Sequence, residues 1–143
     1  MRFTIYQKSR VGGRANNEDR TTYCYSRDAL LMVVADGMGG HPHGEVAAQL
    51  ALQTISAMFQ RHARPRLADV GEFLSDALLA AHHQILRHAL DRGMVDTPRT
   101  TLVAAVVPYS AISALSAGVP STRSTAGRRA AKEVGEALFS AWL

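Results

Sequence analysis

The stretch VVADGMGGH, residues 33–41, ends an apolar run on a carboxylate, Asp36, and follows it with Gly37, Gly39 and Gly40. Upstream, residues 30–35 form a short continuous apolar run, which predicts a strand buried on both faces. Downstream, residues 44–62 place Ala47, Leu50, Ala51, Thr54, Ile55 and Met58 at helical spacing, one stripe of an amphipathic helix. A strand that turns through glycines into a helix is the seed of a layered fold.

Working outward, two further strands are expected before this unit. Residues 2–9 alternate, with Phe3 and Ile5 on one face, and residues 21–26 are rich in Thr and Tyr. Asp69 can cap a second helix, with Glu72 completing a capping-box pattern. That helix runs through Phe73, Leu74, Ala77, Leu78, Ala81 and Ile85, and Gly93 stands where a left-handed terminating residue belongs. TTLVAAVV, residues 100–107, reads as another buried strand from its β-branched content. The order β-β-β-α-α-β implies an α+β fold, with helices covering one face of a mostly antiparallel sheet. The texture changes near Pro108. Residues 109–143 are an atypical Ala/Ser/Gly/Arg-rich tail of linker-like character, in which residues 129–143 are expected to form a helix with Val134, Leu138 and Trp142 on one face.

At 143 residues, 47% hydrophobic and 20% charged, the chain reads as one globular unit able to bury a sizeable core. The net charge of +4 is spread over mostly single basic residues, so nucleic-acid binding is not expected. One cysteine, Cys24, excludes an internal disulfide framework and reads as a small core filler. Neither a signal-peptide core nor a membrane-length apolar run is found, which makes a cytoplasmic protein without membrane contact the expectation.

A carboxylate at a strand end has a fixed backbone, and Gly37 leaves its own carbonyl unshielded. Both suit a hard divalent cation that takes a few oxygen ligands and keeps its waters. Taken alone, Asp-Gly followed by glycines reads first as a tight turn. The same holds for Asn16-Asn17-Glu18-Asp19. Together they change the picture: if the strands share a sheet, Glu18, Asp19 and Asp36 can converge at one edge, where their repulsion calls for a cation or bound protons.

GGRANNEDR, then LLMVVADGMGGHPHGEVAA, then PRTTLVAAVV, in this order and at these separations, resembles the bacterial metal-dependent protein phosphatases of type 2C. The resemblance covers residues 3–107. It implies an antiparallel β-sandwich flanked by helices, of which this chain carries a part, with two Mn²⁺ or Mg²⁺ ions in a cleft at one end. It further implies hydrolysis of phosphoserine and phosphothreonine in protein substrates by a water that the two ions activate. By this resemblance Asp36 bridges both metals, while Gly37, through its carbonyl, and Glu18 serve one of them. Asp19 holds a water of the outer shell, and Arg14 grips the substrate phosphate, a task suited to a planar bidentate donor. His41, beside the glycines, is a candidate general acid. Some relatives carry a histidine directly after Asp-Gly, where this chain has Met38.

The family pattern continues with a Gly-Asp-Ser-Arg element, an Asp-Gly pair and a final Asn/Asp segment. Here no aspartate follows Val107, and the only later carboxylate side chains are Glu133 and Glu136. The second metal position is therefore incomplete. The expectation is a truncated phosphatase of little activity, whose tail arose from a shifted reading frame near codon 108. The competing reading is a noncatalytic interaction module derived from a phosphatase, associating through an exposed sheet edge.

Overall fold

A computed structural model describes residues 4–11, 13, 16–39, 43–64 and 66–110, together with the backbone of 138–142. The elements are β1 (Asp19–Tyr25), β2 (Ala29–Gly37), α1 (Gly44–His62), α2 (Val70–Asp91), β3 (Thr100–Pro108) and β4 (Leu138–Trp142). The strands form one antiparallel sheet in the order β1-β2-β3-β4. The α+β class holds, with both helices in layers on one side of the sheet.

Hairpin β1–β2 closes where the Ser26 N–H donates to the Ala29 carbonyl at 2.9 Å, while the Ser26 hydroxyl oxygen accepts from the N–H groups of Asp28 and Ala29. Strand alternation then sends Leu31, Val33 and Ala35 of β2 and Leu102, Ala104 and Val106 of β3 into the core beneath α1. Their neighbours form the opposite face, where Met32, Val34 and Val103 are 40%, 50% and 44% exposed, beside Tyr23 and Tyr25 of β1. β2 is thus buried on one face only, against the expectation. A continuous apolar run marks burial on both faces only if something covers the second one.

Helix α1 occupies its expected span, but its buried arc is wider and rotated. Gly44, Ala48, Leu52 and Phe59 join Ala47, Ala51 and Ile55, whereas Leu50, Thr54 and Met58 stay partly exposed. The reason is that α1 is wedged between the sheet and α2, so two neighbours bury it. Phe59 meets Phe73 of α2 edge-on, ring centroids 5.8 Å apart. Asp69 caps α2 as expected, its Oδ1 accepting the Glu72 N–H at 2.8 Å, and Gly93 is left-handed at φ 61°. Cys24 packs against the core.

Two expected elements differ. Residues 4–11 form no strand; they follow the β1 edge through side chains, Gln7 Nε2 donating to the Thr21 carbonyl at 2.9 Å. Residues 2 and 3 of that expected strand lie outside the described residues. At the other end, residues 138–142 are not helical but form β4, paired with residues 101–105 of β3. Pairing there satisfies backbone groups along the β3 edge, which outweighs a weak helical spacing. The remainder of the expected helix, residues 129–137 and 143, lies outside the described residues.

Just past β3, the Tyr109 N–H donates to the Asp28 carbonyl at 2.8 Å and ties the strand to the hairpin turn. Burial raises the Tyr109 phenol above its ordinary 10.0, and Tyr25 adds to the rise. A folded pKa above the unfolded one means that this contribution is intact below the unfolded value and is lost as pH climbs through the folded one. Stability should therefore fall above pH 10, and Tyr109→Phe should flatten that fall in urea titrations run across the alkaline range.

Candidate metal and phosphate site

The site is assembled by the sheet register. Asp19 at the start of β1 stands directly opposite Asp36 near the end of β2. Both are exposed on the open face, and like charges directly opposite each other repel. Glu18, one residue earlier, lies on the helix side, where it meets Gly37 and the first residue of α1, Gly44.

The close packing there explains two glycines. A Cβ on Gly37 would stand 2.6 Å from the Gly44 carbonyl carbon, 2.7 Å from its oxygen and 2.9 Å from Glu18 Cβ. A Cβ on Gly44 would run into Glu18 Oε2. That oxygen is buried and has no hydrogen-bond partner among the described residues, while its carboxylate lies at the positive end of the α1 dipole. The cap residue His43 adopts a left-handed φ of 67°, uncommon for a side chain with Cβ, to turn the chain from the glycine loop into the helix.

Backbone and side-chain hydrogen bonds hold the acids in place. The Gly37 N–H donates to the Glu18 carbonyl at 3.3 Å, and the Met38 N–H to the Arg99 carbonyl at 3.0 Å. Thr100 is fully buried, its hydroxyl 2.9 Å from the carbonyls of both Asp36 and Thr101, one of which it serves at a time. On the other side Asn17 Oδ1 accepts the Asp19 N–H at 3.0 Å, and Arg20 Nη1 donates to the Asn17 and Asp19 carbonyls. These are positioning residues. Sequence reading passed over Thr100 and Arg20, although PRTT beside a strand start carried a signal.

A cleft of about 310 Å³ is lined by Glu18, Asp19 and Asp36 together with Arg10, Asn16 and Asn17. The three acids thus share a cleft but approach it from different faces of the sheet, and among the described residues no three His, Cys, Asp or Glu side chains form a metal-capable group. Arg10 is a cation at the cleft that sequence reading did not single out. Arg14 and His41 lie outside the described residues.

The sequence matches the family described as Protein phosphatase 2C over residues 6–118. The chain belongs to the protein phosphatase 2C family. It is 30% identical over 101 residues to the serine/threonine phosphatase stp of Listeria innocua, which is 69% of this chain and 40% of that relative. It is 31% identical over 101 residues to stp of Listeria welshimeri, again 69% and 40%. A shorter match, 51% over 43 residues, joins it to the serine/threonine protein phosphatase PstP of Mycobacterium tuberculosis, covering 30% of this chain and 8% of that one. The chain therefore spans about 40% of the length of the Listeria phosphatases it matches. Among the described residues of this phosphatase 2C chain, no helix is long and apolar enough to cross a membrane.

Proposed function

We propose that the chain is the N-terminal, metal-binding part of a protein serine/threonine phosphatase that acts in the cytoplasm on phosphoserine and phosphothreonine. The observation that carries this reading is Glu18 Oε2, a buried carboxylate oxygen with no hydrogen-bond donor among the described residues, beside Gly37 and an Asp19–Asp36 pair. Such an oxygen is costly unless a cation meets it, and an all-oxygen donor set suits Mn²⁺ or Mg²⁺.

In this reading Asp36, Glu18 and the Gly37 carbonyl would hold the metal. When bound, the ions supply an acidified water and neutralise phosphate charge. Asp19 orients water from its place opposite Asp36. Arg14 would bind the substrate phosphate, and Arg10 lines the cleft of the three acids. His41 is the candidate donor of a proton to the departing hydroxyl. The open apolar face of the sheet would receive the second sheet of the family's sandwich.

Residues 108–143 contain no aspartate, so these residues offer no aspartate for a second metal. The 143-residue chain should hydrolyse a phosphopeptide or an aryl phosphate only at background in millimolar Mn²⁺. Robust turnover that Asp36→Asn abolishes would show that these residues suffice. The exposed Met32, Val34 and Val103 favour a second reading, a noncatalytic module that binds another protein through this face. Binding of a partner unchanged by EDTA would distinguish it.

A further inference from the structure

Helix α2 is the outer layer of the fold: it packs on α1 and buries Phe73, Ala77, Ala81, Ile85 and Ala89. Its opposite stripe carries Leu79, Leu86 and Leu90, which are 55%, 38% and 80% exposed, with the exposed His83 between the first two. These four positions alternate by four, three and four residues, the spacing of a seam between paired helices. A single exposed leucine needs no explanation, whereas three on one line form a contiguous apolar strip.

The charges beside the strip point to what covers it. Glu72 and Asp76 lie one turn apart toward the start of the helix, where two acids at that spacing repel, and Arg87 lies toward its end. Asp76 and Arg87 are separated by about 16 Å along the axis, too far to pair within one helix. Among the described residues neither forms an ion pair, and Arg87 makes none with Asp91 one turn on. Nor does the helix dipole account for them, because its effect fades within the first and last turns, which Glu72 and His88 occupy.

We propose that α2 pairs antiparallel with α2 of a second copy of this chain. The occupant must present apolar side chains at the same spacing, a base opposite Asp76 and an acid opposite Arg87, and this same helix run in reverse does so. A twofold axis near His83 sets Leu79 of each copy beside Leu86 of the other and brings Asp76 alongside Arg87 at both ends of the seam. A parallel pair would instead set Asp76 against Asp76 and Arg87 against Arg87. The seam is only about two heptads long, short of the area of a stable interface, so the dimer is weak, with a dissociation constant of about 10–100 µM. Because α1 separates α2 from the sheet, the pairing depends neither on metal nor on the role of the acids.

Sedimentation equilibrium of the full chain in EDTA, from about 10 to 500 µM, should show a reversible monomer–dimer equilibrium. Leu79→Gln/Leu86→Gln should weaken it at least about tenfold. Asp76→Lys and Arg87→Glu should each weaken it by about threefold or more, and the combined Asp76→Lys/Arg87→Glu chain should recover, because opposite charges then face each other again. Met32→Gln/Val34→Gln, on the open face of the sheet, should leave it unchanged. Circular dichroism checks that each variant is folded. A chain that stays monomeric throughout this range, or a dimer unchanged in the folded Leu79→Gln/Leu86→Gln variant, would overturn the proposal. So would a dimer abolished by Met32→Gln/Val34→Gln, which would place the contact on the sheet. Failure of the combined charge reversal to recover would exclude the antiparallel pairing.

Discussion

Gly37→Ala should destabilise the protein by about 2–3 kcal/mol, the cost of forcing a methyl into a filled site. The new Cβ would lie 2.6 Å from the Gly44 carbonyl carbon. That atom is backbone at the first turn of α1, so relief requires moving the helix off the sheet. Urea unfolding should show a lower midpoint with an unchanged slope. Gly13→Ala is the control, because nothing lies within 4 Å of a Cβ there, and its effect should stay within about 0.5 kcal/mol. Gly44→Ala separates packing from chemistry. Its Cβ would strike the end of the Glu18 side chain and stand 3.0 Å from the Met38 nitrogen and 3.1 Å from the Gly37 carbonyl carbon, backbone contacts looser than those at Gly37, so it should cost less stability than Gly37→Ala while disturbing metal binding through Glu18.

Asp36→Asn should have effects of opposite sign with and without metal. In EDTA the variant should be more stable by about 0.2–1 kcal/mol, because it removes one of two like charges that face each other across the β1–β2 ladder. Mn²⁺ affinity should drop by at least about tenfold, since a ligand is lost and not merely misoriented. Isothermal calorimetry reads the second effect, and urea unfolding in EDTA and in Mn²⁺ reads the first. Unchanged Mn²⁺ affinity would remove Asp36 from the metal site. A destabilised apo variant would show that Asp36 is held by a favourable contact and not by a cation it lacks.

Much of the scaffold was legible because its signals are local. The helix spans, the Asp69 cap and left-handed Gly93 depend on residues within a turn or two of one another, and the structure places them where the spacing implies, although the buried face of α1 is rotated from the expected stripe. The TTLVAAVV strand is similarly explicit. Residues 2–9 misled because alternation shows only that a segment could pair. Within residues 4–11 the edge contact is made by the Gln7 side chain in place of a backbone ladder. Residues 138–142 misled in the reverse direction: three apolar residues at helical spacing mattered less than an available strand edge.

The candidate site divides along the same line. Glu18, Asp19, Asp36 and Gly37 could be chosen from the chain because carboxylates beside glycines are a chemical pattern, and the order of the motifs places the chain in its family. Why Gly37 and Gly44 must lack side chains, why Thr100 is buried beneath Asp36, and why Arg10 lines the acidic cleft are questions of approach between distant segments. No local period encodes that approach. The sequence by itself determined the helix spans, the TTLVAAVV strand and the acids beside the glycines, since these follow from neighbouring residues. Only the tertiary structure decided that Glu18 faces the helix while Asp19 and Asp36 face the open side. A strand reverses its side chains at every residue, and the pairing register alone sets what each one meets.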